Sequence, residues 1–170
     1  MSSIRPCRDH ERAAILSIVN AAAEAYRRVI PADRWHEPYM PPDELDGEIA
    51  AGVAFWGYET GGALVGVMGI QPVRDVDLIR HAYVSPDQQR RGVGSALLEE
   101  VLRASTRPTL VGTWAAADWA IGFYRRHGFE PVPPDHGAAL LRTYWSIPAR
   151  QVETSVVLAK PVPGEAKVAP

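Results

Sequence analysis

The pattern of hydrophobic and polar positions predicts alternating helices and strands. Apolar residues recur at helical spacing from Ile15 to Tyr26, and Asp9 stands where an N-cap is expected. Short alternating or β-branched stretches bounded by glycine and proline predict strands. Helices are expected over residues 9–28, 43–52 and 118–127, with another around 97–102, and strands over residues 4–8, 53–58, 63–72, 77–84, 108–114 and 151–159.

The order of these elements predicts an α/β fold. Two helices and three strands follow the first strand, and a strand, loop and helix over residues 77–103 come next, which favours a mixed sheet with helices on its faces. Residues 138–145 fit either a helical turn or a loop. We expect one domain over residues 1–160 and a disordered tail over residues 161–170, where prolines are frequent and apolar residues few.

Composition narrows the class of protein. With 170 residues, 46% of them hydrophobic and 22% charged, the chain fits one soluble globular domain. Cys7 is the only cysteine, which excludes a disulfide framework and a thiolate-rich zinc site, so we expect a cytoplasmic protein without a metal. A net charge of -2 disfavours nucleic acid and anionic membranes as partners, and the most apolar run, residues 63–70, is too short to cross a bilayer.

The segment between residues 83 and 98 carries the strongest sign of chemistry. A predicted strand leads into a turn, and the run Gln89-Arg90-Arg91-Gly92-Val93-Gly94 opens the next helix. Helix N-terminal N–H groups, the helix dipole, exposed glycine backbone and two arginines together suit an anion such as a phosphate. The alternative is that the glycines only turn the chain. A P-loop is excluded because its lysine pattern is missing, and a dinucleotide fingerprint is disfavoured because Leu97 replaces its third glycine.

This run resembles the Q/R-x-x-G-x-G/A signature of the GNAT family of N-acetyltransferases. A second stretch, Phe123-Tyr124-Arg125-Arg126-His127-Gly128-Phe129, looks like the family's FYxxxGF segment. With the predicted element order, the resemblance extends over about residues 3–160. It implies the GNAT fold, a mixed and mostly antiparallel central sheet of six to seven strands that is splayed between strands 4 and 5, with about four helices on its faces.

The resemblance also implies acetyl-CoA as cosubstrate, in a gap between the strands ending at Val84 and Trp114. Main-chain groups of Tyr83 and Val84 would pair with its pantetheine arm. Its pyrophosphate would be held by the main-chain N–H groups of Gln89, Arg90, Arg91, Gly92, Val93, Gly94 and Ser95. Tyr124 would also contact the cosubstrate, as the acid that protonates the leaving CoA thiolate, because a phenol is protonated at pH 7. The alternative for Tyr124 is ordinary core packing.

The sequence leaves the identity of the general base undecided. Many family members carry an acidic residue on the fourth strand, whereas this chain reads Leu78-Ile79-Arg80-His81-Ala82 there. His81 is a candidate, but period-2 alternation puts Arg80 and His81 on opposite faces, and a bulge would decide which one faces the acceptor. Glu37, His36 and a water chain are the alternatives, and the side chains could instead be surface residues. An asparagine common early in the fourth helix is also missing, with Ala117 at its expected place.

Two segments, residues 35–40 and 141–145, are expected to recognise the acceptor. From these segments, the predicted contacts with the acceptor are Trp35, His36, Tyr39 and Tyr144. Two residues of predicted strands, Arg80 and Trp114, complete the set. Aromatic rings flanked by single charges suit a small amphiphilic amine, although the same residues could simply cover the end of the sheet. An inward Arg80 or Arg142 would favour an acceptor that bears a carboxylate or phosphonate.

The function expected from this resemblance is transfer of an acetyl group from acetyl-CoA to the primary amine of a small molecule, by direct attack of the amine on the thioester. Two alternatives stay open: acetylation of a protein or peptide amine, and a non-catalytic acyl-CoA sensor. A nucleic-acid partner is the weakest option. The family often forms homodimers, and nothing in this chain tests that expectation.

Overall fold

The computed structural model describes residues 1–161, which form seven strands and six α-helices. The strands are β1 (Ser2–Pro6), β2 (Ala54–Thr60), β3 (Ala63–Val73), β4 (Val76–Val84), β5 (Thr109–Trp114), β6 (Glu130–Pro131) and β7 (Ser155–Lys160). The helices are α1 (Arg12–Ala23), α2 (Pro42–Ala50), α3 (Val93–Ala104), α4 (Asp118–Arg126), α5 (Pro134–Tyr144) and α6 (Ala149–Glu153). All seven strands belong to one sheet, in the order β1-β2-β3-β4-β5-β7-β6.

The sheet confirms the predicted mixed α/β class. Strands β1 and β2, β2 and β3, β5 and β7, and β6 and β7 pair antiparallel, whereas β4 and β5 run parallel. The expectation of about four helices was too low, because residues 1–161 contain six. The additional helices are α5, where a helical turn or a loop had been expected, and the short α6.

The first helix is shorter and less regular than predicted. A 3-10 turn over Asp9–Glu11 precedes α1, another over Glu24–Tyr26 follows it, and the N-cap of the first turn is Arg8 rather than Asp9. The predicted apolar stripe is confirmed, since the side chains of Ile15, Ile18, Val19 and Ala22 are buried. The bounds of α2 and of β2, β3 and β4 lie within a few residues of those predicted.

The residues divide into two compact units, of which the first comprises residues 1–71 and 79–104. Its core contains Ile15, Ile18, Val19, Met40, Leu45, Val53, Phe55 and Val67. Helix α3 buries Val93 and Leu97 at its N-terminal half. A Cβ on Gly66 of β3 would lie 2.8 Å from Val93 Cγ1 and 3.1 Å from Leu97 Cδ1. The missing side chain at Gly66 therefore lets the beginning of α3 lie directly on the sheet.

The second unit comprises residues 72–78 and the chain from residue 105 onward. Its core contains Val76, Leu78, Leu110, Leu141, Val152 and Val157. Helix α4 ends as predicted, because Gly128 has a φ of 85° that few other residues adopt. The strand predicted over residues 151–159 begins only at Ser155, and residues 151–153 are helical instead. They belong to α6, where the N–H of Val152 donates to the Pro148 carbonyl at 3.2 Å and its side chain is buried.

Two further expectations concern the whole chain. Within residues 1–161, none of the helices is both long enough and apolar enough to cross a membrane. Residues 162–170 of the expected disordered tail lie outside the described residues.

Candidate active site

The predicted anion cradle is formed by the loop between β4 and α3. A 3-10 turn over Pro86–Gln88 follows the strand, and Arg90 and Gly92 then adopt positive φ values of 60° and 83°. The N–H of Ala96 donates to the Gly92 carbonyl at 3.0 Å, which makes Gly92 the residue that caps α3. The N–H groups of Val93, Gly94 and Ser95 therefore have no acceptor within the helix and point out of its N-terminus.

The space in front of this loop is open. Apart from its chain neighbours, no atom of residues 1–161 would lie within 4 Å of a Cβ on Gly92. The Gln89 side-chain amide donates to the Val84 carbonyl at 3.1 Å and so ties the loop to the end of β4. Arg90 and Arg91 are exposed and add positive charge to that of the helix dipole. The geometry fits the phosphate cradle expected from the sequence, and phosphate binding itself stays a prediction.

Strand β4 is distorted at its centre. His81 has a φ of 52°, in the left-handed region, and both His81 Nε2 and Arg80 Nη2 reach the same carboxylate oxygen, Glu48 Oε2, at 3.0 and 2.8 Å. Strict alternation, which would put Arg80 and His81 on opposite faces, is therefore wrong at this point. A non-glycine residue in this conformation costs about 1–3 kcal/mol and persists only where its surroundings hold it.

Glu48 is a residue to which the sequence analysis assigned no role. It comes from α2, and its side chain is 22% exposed. Burial opposes ionisation of this carboxyl, but the hydrogen bond from His81 and the charge of Arg80 outweigh it and hold the pKa of Glu48 below its ordinary value. The available signal was the pair Glu44 and Glu48, which share one face of a short helix because they are four residues apart. Glu48 thus supplies a carboxylate beside Arg80 and His81, where residues 78–82 of β4 carry none.

The guanidinium of Arg80 has partners within the first unit. Besides Glu48, its guanidinium donates to Gln71 Oε1 at 2.8 Å, and Gln71 Nε2 donates to the Ala51 carbonyl at 2.9 Å. Arg142, the other arginine considered for an anionic acceptor, lies exposed on α5. The observation that would have favoured an acceptor with a carboxylate or phosphonate is therefore weakened.

An aromatic group lies next to the end of β4. The ring of Tyr83 contacts Tyr26 and Tyr39 edge to face, with centroids 6.1 and 6.3 Å apart, and its hydroxyl lies 3.3 Å from that of Tyr39. Tyr39 also contacts Trp35 at 5.4 Å and stacks on His36 at 6.4 Å. The structure thus brings together the predicted acceptor residues Trp35, His36 and Tyr39 with Tyr83.

The two alternative bases lie at the edge of this aromatic group. The Glu37 carboxylate accepts a hydrogen bond from Trp35 Nε1 at 2.9 Å and forms an ion pair with Arg27. The guanidinium of Arg27 also lies 4.6 Å from the centroid of the Trp35 ring. His36 Nδ1 lies 2.9 Å from the Pro38 carbonyl and must be the donor, because a carbonyl only accepts.

Three predicted site residues belong to the second unit. Tyr124 is buried, with its ring edge to face with Phe123 at 5.2 Å and Phe129 at 5.6 Å. Trp114 ends β5 and pairs with Ser155 of β7. The Tyr144 hydroxyl donates to Asp75 Oδ1 at 2.7 Å, a bond that raises the pKa of Tyr144 and lowers that of Asp75. Tyr144 is therefore tied to the residue before β4 begins.

A protein metal site usually requires several His, Cys, Asp or Glu side chains close together. Within the part of the chain that the structure describes, no group of three or more of these residues could hold one.

The sequence and the fold were compared with known proteins. Residues 51–131 match the acetyltransferase (GNAT) domain model, whereas no curated protein matches the sequence significantly. The PaiA N-acetyltransferase from Thermoplasma acidophilum, solved with coenzyme A, is 13% identical with a TM-score of 0.71, and the match covers 95% of this chain and 99% of that one.

Two further solved structures extend the comparison. A ribosomal-protein alanine N-acetyltransferase from Escherichia coli is 17% identical with a TM-score of 0.68, over 100% of this chain and 99% of that one. A GNAT acetyltransferase from Brucella melitensis, solved with acetyl-CoA, is 23% identical with a TM-score of 0.59, over 76% and 83%. At these identities the structures show the fold alone. The chain therefore has the GNAT fold, and its resemblance to the GNAT family is confirmed by the domain match over residues 51–131, which contain both sequence motifs.

Proposed function

We propose that this protein is an acetyl-CoA-dependent N-acetyltransferase that acetylates the primary amine of a small molecule. The observation that carries the proposal is the cradle before α3, where N–H groups without a helical acceptor face open space at Gly92 in a chain with the GNAT fold. The PaiA and Brucella melitensis relatives, solved with coenzyme A and acetyl-CoA, support the same cosubstrate for this chain.

The proposed cosubstrate site uses main chain more than side chains. Backbone N–H groups of the Gln89–Ser95 loop hold the pyrophosphate, and Arg90 and Arg91 add charge. The main chain of Tyr83 and Val84 pairs with the pantetheine arm. The Val84 carbonyl retains a second lone pair beside the one that accepts from Gln89, so this pairing is compatible with the loop contact.

The proposed reaction needs a base for the amine and an acid for the leaving thiolate. His81 is favoured over Glu37 as the base, because the Glu37 carboxylate already binds Arg27 and Trp35. Tyr124 is proposed as the acid on the strength of the family's FYxxxGF segment, since a phenol with an ordinary pKa near 10 can protonate a thiolate. The bound thioester supplies the activated acetyl group.

The acceptor is proposed to be an amine with an apolar body. Trp35, His36, Tyr39 and Tyr83 present a ring surface that suits such a body and could hold its ammonium group by cation–π contact. Because Glu48 and Gln71 already bind the Arg80 guanidinium, the reason to expect a carboxylate or phosphonate on the acceptor is weaker.

The proposal is tested by measuring acetyl-CoA-dependent thiol release with amino acids, aminophosphonates, polyamines, aminoglycosides, arylamines and lysine peptides. We expect turnover with one class of small amine and a drop in the Tyr124→Phe variant, with acetyl-CoA affinity retained. Turnover confined to peptides would transfer the function to protein acetylation. Acetyl-CoA binding with no thiol release for any amine would indicate a sensor.

A further inference from the structure

The hydrogen bond between Glu48 and His81 determines which imidazole nitrogen is available for chemistry. His81 Nε2 lies 3.0 Å from Glu48 Oε2, and an ionised carboxylate only accepts, so Nε2 carries the proton. In the neutral imidazole the lone pair then resides on Nδ1. A carboxylate that fixes the histidine tautomer in this way is a recurring arrangement where histidine acts as a base.

The imidazole ring has a further contact, and its partner Glu48 is held by other residues. His81 has a positive φ of 52°, and its ring stacks on Phe55 with centroids 6.0 Å apart and an interplanar angle of 22°. Its side chain is 14% exposed. Glu48 is itself fixed by Arg80, which Gln71 holds in turn. Both partners of the His81–Glu48 bond are therefore preorganised.

Other charged groups around the imidazole come from two elements. From α2, Glu44 lies one turn before Glu48 and within electrostatic range of both His81 and His36. Burial raises the pKa of Glu44, and the two histidines act against that rise. From β4 itself, Arg80 contributes a cation that shares the Glu48 carboxylate oxygen with His81.

We propose that Glu48 is a positioning residue that holds His81 with Nδ1 as the atom that takes the proton from the acceptor amine. The inference rests on the proposed N-acetyltransferase function. The acceptor ammonium gives one proton to Nδ1, and the free amine forms the amide bond as the thioester C–S bond breaks. The CoA thiolate takes a proton from the acid, and the second proton lost by the acceptor nitrogen restores that acid. Glu48 stays ionised throughout, and the imidazolium returns its proton to water.

The decisive variant is Glu48→Gln, which keeps a hydrogen-bond acceptor for Nε2 and removes the charge. We expect the acid limb of the kcat/KM profile to move to lower pH, because the charge of the carboxylate 3.0 Å from Nε2 is removed. Glu44→Gln is the matched control, one helical turn away and without the hydrogen bond, and should move the limb much less. His81→Asn, which tolerates the left-handed backbone, should lower kcat/KM by about 100-fold or more and leave acetyl-CoA affinity unchanged.

A second measurement does not depend on turnover. Imidazole nitrogen NMR of the protein without ligands should show His81 protonated on Nε2 at high pH, and the Glu48→Ala variant should lose that preference. An unmoved acid limb in Glu48→Gln, or a His81 tautomer protonated on Nδ1, would overturn the role of Glu48 while leaving the N-acetyltransferase proposal intact. Wild-type protein that transfers no acetyl group to any amine would instead remove the proposed function, and this inference with it.

Discussion

Replacing Gly92 by valine separates the cost of a strained backbone from the loss of a binding site. Gly92 has a φ of 83°, and a Cβ there would be free of contacts within 4 Å from the described part of the chain, its two neighbours aside. Gly62, in the turn between β2 and β3, has a φ of 81° and the same free space. The Gly62→Val variant is therefore a matched control that shares the strain and lies outside the cradle.

The two substitutions should destabilise the fold to a similar extent. A residue with a Cβ costs about 1–2 kcal/mol in the left-handed region, partly offset by the lower entropy of its unfolded chain. A net loss near 1 kcal/mol lowers Tm by roughly 2–4 °C in a chain of this size. Only Gly92→Val should also weaken acetyl-CoA binding, because its side chain occupies the space of the pyrophosphate. Loss of one charge-assisted hydrogen bond, about 1.5–3 kcal/mol, corresponds to roughly a 10- to 100-fold higher Kd.

Isothermal titration with acetyl-CoA and thermal unfolding of both variants give the comparison. Equal shifts in Tm with a raised Kd only for Gly92→Val would support the cradle. If Gly92→Val bound acetyl-CoA as tightly as Gly62→Val does, the loop before α3 would not be the phosphate site.

Three further predictions follow from single contacts. Tyr124→Phe should lower kcat and leave the Kd for acetyl-CoA nearly unchanged in titrations, because only the proton donor is removed. Gly69→Ala should lower the free energy of unfolding in urea by about 1–3 kcal/mol, because its Cβ would lie 2.9 Å from the Arg80 carbonyl oxygen. A hydrogen bond from Arg5 lowers the pKa of Glu11 to about 2, so its contribution to stability is present above the ordinary carboxyl pKa and should be lost in acid unfolding curves between about pH 4.5 and 2.

Each of these predictions has a control. Tyr58→Phe removes a phenol from β2, opposite Ile4, and should leave kcat unchanged; an equal fall in both variants would deny Tyr124 a special role. Gly47→Ala lies in α2, where no described atom beyond its own helix backbone comes within 4 Å of the new Cβ, and it should stabilise the protein. A loss there would point to a general intolerance of larger residues. Glu11→Gln should flatten the acid unfolding curve, and an unchanged curve would refute the assignment.

The sequence predicted the elements with a clear hydrophobic period and failed where the period was short or mixed. The apolar stripe of α3 is buried as expected, at Leu97, Leu98 and Val101. Val152 alternates with polar neighbours, a pattern that a strand and one turn of helix share. The chain forms helix α6 there, with Pro148 as its N-cap residue. The two-residue strand β6 exists through its pairing with β7 and has no pattern of its own.

The candidate site was predictable where backbone shape determines it. The sequence around Gly92 predicts the anion cradle, because a positive φ and a close approach of the backbone to a ligand both favour glycine. The contact between Glu48 and His81 was not predictable, since the two residues are 33 positions apart and meet only through the packing of α2 on β4. The left-handed φ of His81 is equally hidden, because histidine seldom adopts it and no local motif marks the position.

The most direct test of the central claim is the stoichiometry of the reaction, with free CoA thiol and acetylated amine counted in the same wild-type mixture by a thiol reagent and by mass spectrometry. An acetyl-CoA-dependent N-acetyltransferase releases one thiol for each acetylamine formed. Thiol released without acetylamine, or acetyl-CoA bound with neither product, would contradict the proposed function.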